Sequence, residues 1–292
     1  MLIQTRGEKI FNIFNIIFLC LVGLVTLYPF LYTLSISLSS AAEANRDGLH
    51  LFPRELSLTA YQMVLSNPDI LIGYMNTVIR TLLGTFLTVL MTCIAAYPLA
   101  RKQMPHRGMI TFLVLFTMIF SGGMVPAYLL IKNLGLMNTI WALVLPGMLT
   151  AFNIIIVKNF FQSIPESLGE SARVDGANEW TILFRIYMPL SKPVMATISL
   201  WTAVAHWNHW FDALLYITDD RKQVLQIFLQ RIVIESSTEF IEKGLANPDI
   251  TQFTPETIKA ATIIVVVLPI ILIYPFVQKF FVKGIMLGSV KE

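Results

Sequence analysis

The sequence predicts an all-α integral membrane protein with six transmembrane helices and both termini on the cytoplasmic side. Three observations carry this. Hydrophobic residues make up 55% of the 292 residues and charged residues 13%, more apolar surface than a soluble domain of this size can bury. Six apolar stretches, roughly 11–34, 72–99, 109–131, 139–161, 194–217 and 260–282, are each long enough to cross a bilayer. With the N-terminus inside, twelve Lys and Arg fall on the cytoplasmic side and eight outside, the latter mostly in long loops that count weakly in setting orientation.

The first stretch follows Arg6 and Lys9 but runs beyond twenty apolar residues, so it reads as a retained anchor and not as a cleaved signal. Proline and glycine (Pro29, Pro98, Gly122, Gly123, Pro126, Pro146, Gly147, Pro269, Pro275) punctuate the spans, which predicts a bent, cavity-lining bundle. The external segments 35–70 and 218–258 carry eleven acidic residues and offer a face for a partner protein. The second of them mixes Leu225, Ile227, Phe228, Leu229, Ile232 and Val233 with charges and is expected to fold locally. Cys20 and Cys93 lie in apolar runs and suggest neither a disulfide nor a metal site. The scattered basic residues, with a net charge of +3, form no nucleic-acid stripe.

Between the fourth and fifth stretches lies a cytoplasmic connection, Gln162 to Pro193, too long for a simple turn. Pro165 and Glu166 suit a helix start, Gly176 suits a left-handed helix end, and Asn178 suits the cap of a second helix running to Tyr187 before Pro189. Trp180, Leu183, Phe184 and Tyr187 recur at helical spacing and make an apolar face that must dock on something, and the amphipathic pattern alone favours an interfacial helix lying on lipid.

The run Glu170-Ser171-Ala172-Arg173-Val174-Asp175-Gly176-Ala177, followed by Phe184, Ile186, Pro189 and Pro193, resembles the EAA loop of ABC importer permeases. It departs from that motif at Ser171 and Met188, and the Glu–Gly–Pro spacing is intact. Asn76-Thr77-Val78, Ala96-Tyr97-Pro98-Leu99-Ala100-Arg101, and the tail Gln278–Gly284 with Gly288–Lys291 are similar to the carbohydrate, maltose-permease-like family. The runs Ser121–Pro126 and His206-Trp207-Asn208 resemble a subgroup handling complex oligosaccharides.

The resemblance implies a type I ABC importer permease fold: one transmembrane permease domain over 1–292 in the cell membrane, with coupling segment 162–193 and external loop 218–258. It implies no enzyme activity in this chain. ATP and Mg would be bound by a partner dimer of ATPase subunits, consistent with the lack of a GxxxxGK[ST] phosphate loop. A second permease subunit, in a heterodimer, and an extracytoplasmic substrate-binding protein complete the expected assembly for a sugar or oligosaccharide. The coupling residues it implies are Glu170, Ala172, Asp175, Gly176, Ala177, Trp180, Phe184 and Pro189.

For the substrate path, His206, Trp207, Asn208, Trp210 and Asp212 bring polar and aromatic groups into the fifth stretch. That composition suits sugar contacts, and it equally suits an interfacial aromatic belt. Asn76 and Arg80, four apart on one helical face, either line the cavity or snorkel to the headgroups. A proton-coupled transporter fits poorly, because Asp212 is the only acidic residue inside a span. A membrane enzyme fits poorly as well, because the four histidines belong to no HExxH-type or Ser-based motif.

Overall fold

A computed structural model describes residues 5–46, 48, 50–235 and 254–289, and the regular elements among them are helices, apart from one isolated bridge between Ser39 and Leu56. Helix α1 (Arg6–Ser37) takes up the first apolar stretch. Thr5 starts it with a capping box: its side chain accepts from the Glu8 N–H, and Glu8 accepts from the Thr5 N–H at 2.7 Å. Short helices α2 (Ala41–Ala44) and α3 (Thr59–Ser66) precede α4 (Pro68–Ala100), the second stretch. The third stretch is α5 (Arg107–Ile119) and α6 (Met124–Asn133); the fourth is α7 (Ile140–Val144) and α8 (Ala151–Ser163).

The connection that follows holds α9 (Glu166–Val174), α10 (Glu179–Ile182), a π-helical turn (Leu183–Tyr187) and α11 (Met188–Leu190). The fifth stretch is α12 (Lys192–Asn208) and α13 (Phe211–Tyr216). After a 3-10 turn at Asp220–Lys222 come α14 (Leu225–Glu235) and α15 (Pro255–Ser289), which contains the sixth stretch. The expected local folding of the 218–258 loop is thus present through Glu235; its residues 236–253, and tail residues 290–292, lie outside those described.

Among the described residues α1, α4 and the Pro255–Ile273 part of α15 are each long and apolar enough to cross a membrane. The α5–α6 pair, bent by 110°, supplies a fourth if it is counted as one span. The remaining two stretches are each divided into two shorter helices. The positions of the breaks have local causes. Pro29, Pro98, Pro269 and Pro275 sit inside continuous helices and do not interrupt them. At the α5–α6 bend, Gly123 adopts φ +89°, open to glycine and strained for other residues. The α7–α8 break contains the Pro146-Gly147 pair. The α12–α13 break at His209 and Trp210 has neither residue type and is made by side-chain bonding.

There, Arg80 on α4 donates from Nη1 to the His209 carbonyl at 2.8 Å, an acceptor freed by the end of α12. Its Nη2 pairs with the Asp212 carboxylate. Asp212 in turn accepts from the Ala213 N–H at 2.8 Å and lies 3.1 Å from His209 Nδ1. Arg80 is 1% exposed, so the break depends on a buried, paired cation.

The chain divides into two compact units. In the first, Met1–Ile70 with Leu229–Leu268, helix α1 buries only its last turn, Ser35–Ser37, and exposes apolar side chains from Ile10 to Leu34. The following turn is organised by Glu43, 5% exposed, whose two carboxylate oxygens accept from the backbone N–H groups of Arg54 (2.7 Å) and Glu55 (2.8 Å). In the second, Leu71–Phe228 with Pro269–Glu292, one hydrophobic core joins α4 (Cys93, Ala96, Tyr97), α8 (Ile154, Val157, Phe161), the 182–187 turn and α12 (Val194, Ile198). Helices α4 and α12 approach closely: a Cβ added at Gly84 would collide with the His206 ring.

Removing Arg80 should therefore undo more than one contact. Arg80→Met leaves the Asp212 charge and the His209 carbonyl unpaired and is expected to cost about 3 kcal/mol, read as a lower melting temperature of the detergent-solubilised protein. The double change Arg80→Met with Asp212→Asn removes the stranded charge and should recover part of the loss. An unaltered melting temperature in Arg80→Met would show that the α12–α13 break does not need this pair.

Candidate functional site

Two regions of the second unit carry the candidate residues. The first is the 162–193 connection. Helix α9 ends in a complete Schellman closure: Gly176 has φ +83°, its N–H donates to Arg173 O at 3.0 Å, and the Ala177 N–H donates to Ala172 O at 2.9 Å. Asn178 then caps α10, its Oδ1 accepting from the Thr181 N–H at 2.8 Å. The helical path continues past Tyr187 to Leu190 by way of the π turn. A widened turn suits this point, because Pro189 has no N–H to return to the preceding turn.

The apolar face of this segment divides in two. Leu183 and Tyr187 are buried, and Tyr187 packs edge-on against Tyr97 (5.1 Å) and Phe161 (5.5 Å). Trp180 and Phe184 are exposed and stack on each other at 6.1 Å and 16°. Val174, 88% exposed, and Leu168 add to an uncovered apolar surface. Glu170, Asp175, Gly176 and Pro189 are also exposed, and Ala172 and Ala177 are half-buried.

A polar cluster that the periodicity of the sequence does not reveal lies beside this surface. Glu179 accepts from the Tyr97 hydroxyl and from Arg173 Nε at 2.8 Å, and Arg101 Nη2 stands 3.7 Å away. Arg101 also lies over the Tyr97 ring, 5.6 Å from its centroid. Burial pushes the Glu179 carboxyl up, but the Tyr97 and Arg173 hydrogen bonds outweigh it and hold the group below the usual carboxylate range. The hydrogen bond to Glu179 correspondingly raises Arg173.

The second region is a cavity of about 860 Å³ that opens where the helices break. Met124 at the α5–α6 bend, Pro146, Gly147 and Thr150 at the α7–α8 break, and His209, Phe211 and Asp212 at the α12–α13 break all line it. Arg80 and Thr88 from α4, Phe152 and Asn153 from α8, and Trp201, Thr202 and His206 from α12 complete most of the wall. Irregular backbone at membrane depth is tolerated where it lines such a space. Trp201 is fixed by its indole N–H, which donates to Asn153 Oδ1 at 3.0 Å, and by Phe152, whose ring lies 5.6 Å away. Arg80 Nε and Thr88 Oγ1 are buried without a partner among the described residues.

Of the substrate-path candidates, Arg80, His206 and Asp212 reach the cavity. Arg80 extends to the α12–α13 break and is buried there. The other four lie elsewhere. Asn76 donates to the carbonyls of Arg221 (3.0 Å) and Gln223 (2.9 Å). Trp207, 7% exposed, packs edge-on against Tyr74 at 5.6 Å. Trp210 turns its ring against Phe211, and Asn208 is exposed outside the cavity wall. Sequence reasoning missed Trp201, Asn153 and Thr88. Asn153 offered a usable signal, an amide set between Phe152 and the Ile154-Ile155-Ile156 run. Among the described residues no group of three or more His, Cys, Asp or Glu is placed to hold a metal ion.

Known proteins resemble this chain over nearly its whole length. It is 43% identical to the LplC protein of Bacillus subtilis (strain 168) over 291 residues, covering 99% of this chain and 97% of that one. It is 42% identical over 287 residues to the polygalacturonan/rhamnogalacturonan transport system permease protein YtcP of the same organism, covering 97% of this chain and 99% of that one. A chain in the crystal structure of a bacterial ABC transporter involved in the import of the acidic polysaccharide alginate superposes with a TM-score of 0.90 at 34% identity, over 96% of this chain and all of that one. Residues 69–287, from the start of α4 through α15, match the model of the binding-protein-dependent transport system inner membrane component. The chain belongs to that family and is a membrane permease subunit of an ABC transport system.

Proposed function

We propose that this chain forms half of the translocation path of an importer for oligosaccharides, with the cavity at the helix breaks as its share of the substrate route. The observation that supports it best is the cavity wall: an indole tethered by Asn153, flanked by Phe152, with amide, hydroxyl and imidazole groups around it. Sugars present apolar ring faces and clustered hydroxyls, and these are complementary surfaces. The named carbohydrate substrates of relatives aligned over nearly their full length favour the same class.

In this reading the six stretches cross the membrane with both termini inside, as the distribution of Lys and Arg favours. The whole chain acts as one permease domain. The exposed Trp180–Phe184 stack, with Val174 and Glu170, inserts into a cleft on ATPase subunits that bind ATP and Mg. The second half of the path comes from a different permease subunit. The external segments, including 218–258, meet the substrate-binding protein.

Three measurements test this. In a background with Cys20 and Cys93 replaced by Ala, Ser167→Cys should react with an impermeant thiol reagent only from the cytoplasmic side and Phe52→Cys only from outside; the opposite labelling would invert the topology. Gly176→Pro removes the N–H given to Arg173 O and forces φ to about −65°, so ATPase association and uptake should both be lost while insertion persists. Survival of both would remove the coupling role from 166–187. Trp201→Ala should lower uptake per assembled complex about fivefold, equivalent to about 1 kcal/mol, with Trp201→Phe retaining most of it. Trp207→Ala, outside the cavity, should lower the amount of inserted protein instead. Normal uptake per complex in Trp201→Ala would take this wall out of the substrate route.

A further inference from the structure

Helix α9 carries Glu170 and the exposed Val174, yet the one residue it buries is Gly169. No large apolar side chain of its own pins it to the membrane helices, in contrast to Ile182, Leu183 and Tyr187 of the following segment. The position of α9 therefore depends on polar ties. One is Gln103 Nε2 to Glu166, 2.7 Å. The other is Glu179, which sits in the first turn of α10 and reaches in three directions: to Arg173 in the last turn of α9, to Tyr97 in the last turn of α4, and to Arg101 just beyond α4. Tyr97 is 6% exposed and packed between Phe161 and Tyr187, so its hydroxyl is a fixed point of the membrane core.

Beside this junction is a cavity of about 680 Å³ lined by Tyr97, Arg101, Arg173, Glu179 and Trp180. Within it Arg101 Nη1 and Arg173 Nη2 have no acceptor among the described residues, and one carboxylate serves both guanidinium groups. With its side chain 56% exposed, Glu179 is in a position where an ion pair adds little to global stability. Its geometry suits it instead to registering one helix against another.

We propose that Glu179 is the positioning residue that fastens α9 to the end of α4, so that displacement of the docking segment is passed to the membrane helix bearing Arg80. This rests on the reading of 166–187 as the ATPase-docking segment. Loss of the tie leaves docking in place and lets α9 move without α4. ATP is then hydrolysed with less substrate moved.

The test uses the whole transporter reconstituted in vesicles with its binding protein, recording ATPase subunits retained, basal ATP hydrolysis, and substrate molecules transported per ATP. Glu179→Ala should retain the ATPase subunits and basal hydrolysis within about twofold and reduce transport per ATP about fivefold, the upper size expected for losing an ion pair at a half-exposed position. Glu179→Gln, which keeps an acceptor for Tyr97, should recover part of that ratio. Tyr97→Phe removes only a hydroxyl and should lower it about twofold, which provides a readout even if Glu179→Ala assembles poorly. Unchanged transport per ATP in both Glu179→Ala and Tyr97→Phe would overturn the proposal. So would loss of ATPase subunits in proportion to lost transport, since Glu179 would then belong to the docking surface itself. An unaltered complex that holds no ATPase subunits would overturn the docking reading and this proposal with it.

Discussion

A buried cation inside an apolar helix has to be answered by its surroundings, and in this chain the answer organises the membrane core. Arg80 gives one nitrogen to the carboxylate of Asp212 and another to the backbone carbonyl of His209. The first satisfies the charge and the second satisfies the end of α12, so one side chain makes a broken helix tolerable in apolar surroundings. Without that break, Phe211, Asp212 and Tyr216 would be carried onward along α12 and would not turn into the cavity wall they share with Trp201 and Asn153. Gly84 completes the arrangement by letting α12 come close enough for His206 to lie against α4.

The family-bearing segment is legible in the sequence nearly residue by residue, because its signals are local. A proline before α9, a glycine in the left-handed region and an Asn cap each act within one helical turn, and each is found in the expected role. The apolar stretches that became α1, α4 and the first part of α15 are legible for the same reason: hydropathy sums over neighbours. The breaks are only half legible. Glycine and proline mark those at 122–123 and 146–147, whereas the one at 209–210 is produced by a residue 129 positions earlier in the chain. Long-range bonding of that kind leaves no periodicity behind, and it explains why Trp207, the more conspicuous aromatic, outranks Trp201 when only the sequence is read. Proline also over-signals, since Pro29 and Pro98 sit within helices that continue through them.

The division of the Trp180–Tyr187 face shows a related limit. Helical spacing alone assigns four side chains to one surface, but the π turn and the Tyr97–Phe161–Tyr187 contacts draw half of them inward. What remains outside is a stacked aromatic pair too exposed to be core and too ordered to be incidental. The same few residues thus serve both to anchor the segment and to present it.

Helix α4 has a mechanical consequence. Its 33 residues make a rod about 50 Å long, and it is uninterrupted while its neighbours α5–α6, α7–α8 and α12–α13 are jointed. Asn76 and Thr77 bond the 221–225 segment near one end, Arg80 holds the α12–α13 joint, and Tyr97 meets Glu179 at the other end. A continuous lever of that length converts a tilt of about 5° into about 4 Å of travel at its far tip. The Arg80 joint lies partway along that lever, so motion entering at either end reaches the cavity wall by way of one side chain.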